Sequence, residues 1–265
     1  WGSTGFSENR MTTAHRLLCL AAGLLPLAVA TAAIAQPGYP SRPVRAVVAW
    51  PPGGAADIIA RVVAQKLGEQ LGQQLVIDNR PGASGAIGAG LAAKSAPDGY
   101  TVFVGGMSEL VLNPQIAKVP YDAARDFAAV SPLAFGYYLL VIHPSLPARS
   151  VKGLIALAKA RPGEINYASG GSGSNLSLVA ELFKTAAGIN VSHIPYKGGG
   201  PATTDAIGGQ IDFAVTSVAV PGRHIRAGRL RAVVTTGEKR SHVTPDTPTL
   251  IESGLPLSAL ARWGI

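Results

Sequence analysis

From Val44 onward the apolar positions switch between two spacings. Val44–Trp50 is a short apolar run with β-branched residues, the pattern of a strand buried on both faces. Pro51 and Pro52 end it, because proline supplies no ladder N–H. Gly53 and Gly54 then permit a sharp bend bare of side chains. Ile58, Ile59, Val62, Val63 and Leu67 recur at helical spacing and predict a helix over Ala55–Leu71.

The alternation continues along the chain. Strands are expected at Gln74–Asp78, Tyr100–Gly105, Phe127–Leu133, Ile165–Ala168, Val191–Pro195, Asp212–Thr216 and Leu230–Thr235. Helices are expected over Ser84–Lys94, Val151–Arg161, Leu176–Ala187, Ala202–Ile207 and Pro221–Ala227. Ser150 reads as an N-cap and Gly188 as a C-terminal stop. Tyr137–His143 is a very apolar run directly after Phe127–Leu133, and a hinge is placed between the two. Arg262–Ile265 resembles the middle of a strand. Strands alternating with helices predict an α/β protein of two lobes, each a mainly parallel sheet flanked by helices, with ligands at strand C-terminal ends.

Composition supports two real cores: the chain has 265 residues, 47% hydrophobic and 14% charged. Its 32 glycines and 20 prolines fall between apolar runs and act as turns. The net charge is +8, but the basic residues are scattered, aromatics are only 6%, and no arginine-rich arm appears. Nucleic acid is therefore not an expected partner, and the charge serves solubility first.

Residues 1–36 read as a leader and cleaved signal peptide. Met11 is followed by His15 and Arg16, an apolar run over Leu17–Ala30, and Ala33-Ile34-Ala35, with cleavage expected after Ala35. Cys19, the only cysteine, lies inside that run, so the mature chain has no disulfide or thiol chemistry. Export without disulfides fits the bacterial periplasm.

A bare turn feeding a helix N-terminus presents unpaired N–H groups and the positive end of the helix dipole, a seat for an anion. The device occurs at Pro52, Gly53 and Gly54, and recurs around Ala83 and Ser84 and again at Ser169, Gly170, Gly171, Ser172, Gly173 and Ser174. Ser108 closes the Tyr100 strand, and Thr216 and Ser217 end a later one. These are the candidate ligand-binding residues. Asp57, in the first helical turn, reads first as a cap and alternatively as an acceptor for a ligand ammonium. Lys197 is the nearest cation in any of these loops; it steers anions or only decorates the surface.

Other chemistry finds less support. Gly88-x-Gly90-x-x-Ala93 has the letters of a dinucleotide fingerprint, but its glycines fall inside a helix and no acidic residue follows at about twenty positions. Neither Ser84 nor Ser172 has the flanking glycines of a hydrolase elbow. His15, His143, His193, His224 and His242 share no metal-ligand spacing, and His193 reads as structural. No catalytic residue, metal or cofactor is expected.

Several segments carry a resemblance. They are Val47-Val-Ala-Trp-Pro-Pro-Gly-Gly-x-x-Asp57, Asp78-Asn-Arg-Pro-Gly-Ala-x-Gly85, Asn113-Pro through Pro120-Tyr-Asp, and Asn166-Tyr-Ala-Ser169 with its glycine turn. Pro195-Tyr-Lys-Gly-x-x-Pro201-Ala and Ile225-Arg-Ala-Gly-x-Leu-Arg-Ala232 complete the set. Together they resemble the Bug proteins, periplasmic substrate-binding components of tripartite tricarboxylate transporters, from about Tyr39 to the end of the chain. The resemblance implies a type II-like periplasmic-binding-protein fold whose lobes close about a hinge. Lobe 1 would be residues 37–136 plus 256–265, and lobe 2 residues 137–255. It implies a monomer that captures a small carboxylate through backbone amides, hydroxyls and waters and delivers it to the membrane subunits of the transporter. Two departures stand out: Bug proteins usually have histidine where this chain has Ser177, and they continue past this C-terminus, so lobe 1 is expected to be incomplete. The alternatives are an α/β enzyme acting on a small acid and a ligand-sensing module for a membrane sensor.

Overall fold

The computed structural model describes residues 38–265; the expected leader and cleavage site lie outside the described residues. The chain divides after Ser41, and the second unit, residues 42–265, is compact. Residues 38–41 contain no helix or strand, and every described element belongs to the second unit.

The second unit begins with β1 (Val44–Val48), which is buried except at Arg45. It pairs in parallel with β2 (Leu75–Asn79) on one side and β3 (Thr101–Gly106) on the other. Between β1 and β2 runs α1 (Ala55–Leu71), which starts at an extended Gly54 and stops at Gly72 in the left-handed conformation. The sequence pattern pointed to isoleucine and valine as its packing face. The buried residues are Ala56, Asp57, Ala60 and Ala64, while Val62 is 62% exposed. Small side chains at i, i+4 and i+8 let the helix lie close against the sheet. A left-handed turn at Ala83–Gly85 leads into α2 (Ala86–Ala93), and a wide helical turn at Ser108–Leu112 leads into α3 (Asn113–Ile116).

β4 (Pro132–Ile142) is one continuous strand. The two segments expected on either side of a break, Phe127–Leu133 and Tyr137–His143, are therefore joined, and residues 127–131 carry no strand. The physical reason is pairing along the whole length. Residues 132–137 pair with β9 (Leu260–Gly264), and residues 138–142 pair with β7 (Phe213–Ser217) and β8 (Arg231–Thr235). The passage between the two halves of the unit thus runs through a hydrogen-bonded strand.

The second half holds α4 (Val151–Ala160), β5 (Asn166–Ser169), α5 (Asn175–Ala187), β6 (Ser192–Pro195), α6 (Gly199–Ile207) and α7 (Gly222–Arg226). Ser150 Oγ accepts the Gly153 N–H at 3.1 Å and caps α4; Gly188, left-handed, ends α5. β5 is parallel to both β6 and β7, whereas β4 and β9 run antiparallel to all their partners. The main path of the mixed sheet is β2-β1-β3-β9-β4-β7-β5-β6. Val47, Ala49 and Phe103 centre the core of the first half; Leu140, Leu154, Tyr167, Phe183 and Phe213 centre that of the second. Among the described residues no helix is long and apolar enough to cross a membrane.

Candidate functional site

β1, β5 and β6 each lead through a glycine-containing turn into a helix: α1, α5 and α6. The first turns of these three helices meet at the seam between the halves, around a cavity of about 50 Å³. Trp50, Gly54, Ala55, Ala56 and Trp263 line it from the first half; Tyr138, Asn175, Leu176, Gly199, Thr216, Ser217 and Val220 line it from the second. That volume holds a few water molecules.

The lining is rich in donors and free of charge. α1 and α6 start at glycines with no side-chain cap, so the N–H groups of Ala55, Ala56 and Gly199, residues that line the cavity, have no intrahelical acceptor. Asn175 Nδ2 donates to the Tyr138 hydroxyl at 2.8 Å, and Thr203 Oγ1 donates to Thr216 Oγ1 at 3.2 Å. Ser217 is 4% exposed, and its hydroxyl has no hydrogen-bond partner among the described residues. A buried hydroxyl is nearly always paired, so an orphan at a cavity wall marks a place where a ligand atom or water belongs.

The halves are closed on each other. Ser84 Oγ donates to the Ser172 carbonyl at 2.6 Å, and the Asn175 N–H donates to Ser108 Oγ at 2.9 Å. A Cβ on Gly200 would lie 3.3 Å from the backbone of Gly53 and Pro52, so a side chain there would crowd the close approach of the α6 start to the α1 turn.

Of the residues singled out from sequence, Gly54, Thr216 and Ser217 line the cavity. Pro52 and Gly53 line an outer groove. Ser84, Ser108 and Ser172 make the contacts across the seam, and Ala83 holds the strained turn beside Ser84, with φ of 47° and 50°. Ser169 is fully buried; its hydroxyl meets His193 Nε2 at 2.7 Å and accepts the Gly171 N–H at 3.1 Å. Gly170 packs against Leu176 and Ser174, and Gly173 against Ile116. Ser174 Oγ caps α5 by accepting the Ser177 N–H, while Ser177 Oγ donates to the Ser174 carbonyl. Asp57 is engaged inside the protein: it accepts the Gly53 N–H at 2.9 Å, Asn79 Nδ2 at 3.0 Å and Arg61 Nε at 3.0 Å. Burial pushes its carboxyl up, but these donors outweigh burial and hold it below the usual carboxylate range.

Sequence reasoning did not single out Trp50, Ala55, Ala56, Tyr138, Asn175, Leu176, Gly199, Val220 or Trp263 as site residues. Ala55, Asn175 and Gly199 open their helices, so the rule that marked Gly54 reaches them too. Trp263 and Tyr138 carry no such local signal. Trp50 is held from behind: its Nε1–H donates to Glu109, a fully buried carboxylate that also accepts the Gly106 N–H at 3.0 Å. Burial raises the Glu109 carboxyl above its ordinary range, against the opposing pull of these donors. The Ser169–His193 pair has the separation of a nucleophile and its base, but the serine is sealed from solvent and already hydrogen-bonded. Among the described residues no three metal-ligating side chains cluster.

The family model described as tripartite tricarboxylate transporter family receptor, TctC, matches residues 59–263. The chain belongs to this family. It is 41% identical over 244 residues to Protein BugT of Bordetella pertussis, spanning 89% of this chain and 74% of that protein. Among solved structures, R. palustris Rpa4515 with adipate superposes with a TM-score of 0.81 at 35% identity, over 85% of this chain and 76% of the other. The periplasmic binding protein BugD gives a TM-score of 0.82 at 30% identity, over 85% and 76%. The fold is the two-lobed α/β fold of these periplasmic binding proteins.

Proposed function

We propose that the chain is an extracytoplasmic solute-binding protein that closes its lobes over a small carboxylate and carries it to a membrane transporter. The observation that carries this reading is the orphan Ser217 hydroxyl, set in the wall of a cavity where three helices begin. A carboxylate oxygen satisfies that hydroxyl and the N–H groups of Ala55 and Gly199, and the three helix dipoles favour its charge. No lining side chain is charged, so main-chain dipoles supply the neutralisation. The adipate held by the Rpa4515 relative supports an acid as ligand.

In this reading lobe 1 is residues 37–136 with 256–265, and lobe 2 is residues 137–255. The family's description supports membrane subunits of a tripartite tricarboxylate transporter as partners and the periplasm as the compartment. The protein works as a monomer and turns nothing over; the buried state of Ser169 supports capture over catalysis.

A thermal-shift screen of the chain against small acids and their amides tests the proposal. Acids raise the melting temperature and the matching amides do not, because only the ionised form exploits the dipoles. Equal stabilisation by an acid and its amide, or no stabilisation by any acid, would overturn it.

A further inference from the structure

Beside the cavity, and meeting it at Val220, lies a groove of about 780 Å³ that crosses the same seam. Pro52, Gly53 and Ile58 form one wall; Arg223, Arg226 and Arg229 stand on the other. Arg223 and Arg226 lie one turn apart on α7, Arg229 follows its exit, and all three line the groove. Outside the groove six described arginines have acidic partners, among them Arg45 with Asp78, Arg61 with Asp57 and Arg240 with Glu252, while Arg149, Arg161, Arg231 and Arg262 have none among the described residues. Here no arginine has an acidic partner among the described residues, and no acidic residue lines the groove. Arg223 Nε donates instead to His224 Nε2 at 3.1 Å, and His224 Nδ1 is buried without a partner among the described residues. Three like charges held in one concave strip repel one another, so the strip is complementary to a chain of negative charges.

We infer that this groove is a docking surface for an extended acidic segment of a protein partner, and that the segment reads the closed state of the lobes. The arginines are exposed and spread along the groove, which suits several carboxylates in series better than one enclosed anion. Ile58, Ile207, Val218 and Val243 give the groove an apolar floor for the segment's backbone and stems. Its two walls belong to opposite halves, brought together where Gly200 touches the Gly53 turn. A segment gripping both walls binds the closed form better than the open one, and so selects it. The inference rests on the groove and its charges, and holds whatever solute the inner cavity takes.

Fluorescence anisotropy of a labelled hexaglutamate peptide against the full chain at low salt tests it. The expected result is saturable binding that falls about tenfold or more in the Arg226→Gln/Arg229→Gln variant, and is unchanged in Arg149→Gln, an exposed arginine outside the groove. Labelled hexaglutamine does not bind. Equal affinity of wild type and Arg226→Gln/Arg229→Gln would overturn the assignment. So would displacement of the peptide by inorganic phosphate at matching concentration, which would make the groove a small-anion site. In the Ser84→Ala/Ser108→Ala variant, whose seam contacts are gone, peptide affinity falls as well; unchanged affinity there would overturn the link to closure.

Discussion

Ser84 reaches across the seam to donate its hydroxyl to the Ser172 carbonyl at 2.6 Å, and holds a left-handed backbone, φ 50°, to do so. Asn113 Nδ2 steadies the turn by donating to the Ser84 carbonyl at 2.9 Å. A non-glycine residue in that conformation costs roughly 1 kcal/mol, which the surrounding contacts must offset. The bond exists only when the halves are closed. Ser84→Ala therefore shifts the equilibrium toward the open form by about 0.5–1.5 kcal/mol, weakening a stabilising carboxylate about two- to tenfold. Small-angle scattering of the unliganded variant shows a larger radius of gyration. An unchanged radius and affinity would mean that the contact plays no part in closing.

Ser217 should behave in the opposite sense for folding and for binding. Its buried hydroxyl has no hydrogen-bond partner among the described residues. Ser217→Ala removes an unsatisfied group, so the free protein is as stable as wild type or more so, by up to about 1–2 kcal/mol. Ligand affinity nevertheless falls, about fivefold or more. Denaturant melts without ligand, set beside calorimetric titration with the best acid, separate the two effects; a loss in both would place Ser217 in folding alone.

Trp50 and Glu109 predict a pH dependence. The Glu109 carboxyl is raised by burial, so its ionised form is the disfavoured one in the folded protein. A raised acid contributes stability below its unfolded value, roughly pH 4.3, and loses it as pH climbs through the folded value. The Trp50 N–H opposes that rise. Trp50→Phe removes this donor and pushes the carboxyl higher still. The variant is thus destabilised more at pH 8 than at pH 5, by about 1–3 kcal/mol at the upper end. Parallel melting curves of variant and wild type across that range would contradict the assignment.

Asp57 carries the reverse sign. Three donors hold its carboxyl below the usual range despite burial, so the stability it contributes is present above its unfolded value and lost as pH falls through the folded one. Asp57→Asn sets an amide N–H₂ against the Gly53, Asn79 and Arg61 donors. At pH 7 it costs about 1.5–3 kcal/mol, and the gap to wild type narrows below about pH 4. Urea denaturation at pH 7 and pH 3 checks this; a constant gap would show that packing, not charge, sets the cost.

Local chemistry made much of the fold legible. Two prolines and two glycines after an apolar run marked the β1–α1 turn, and Ser150 and Gly188 marked helix ends, because each acts on backbone atoms within a few residues. The continuous β4 was not legible. Gly136 interrupts its apolar pattern, and pairing with β9, more than a hundred residues later, holds residues 132–137 in line with the part paired to β7 and β8. Likewise the Ser/Gly turn after β5 looked like a cradle for a ligand. In three dimensions its serines are used within the protein: Ser169 on His193, Ser174 on the helix it caps, and the Ser172 carbonyl on the opposite half.

The amino-acid order alone determined which stretches bend, which helices begin with bare N–H groups, and the family likeness, since these depend on neighbours along the chain. Only the tertiary arrangement decided that α1, α5 and α6 aim their starts at one cavity, that Trp50, Tyr138 and Trp263 wall it, and that Ser217 is left unpaired there. Those relations are between residues brought together by two antiparallel strands crossing from one half to the other, and no local spacing encodes where such strands come to rest.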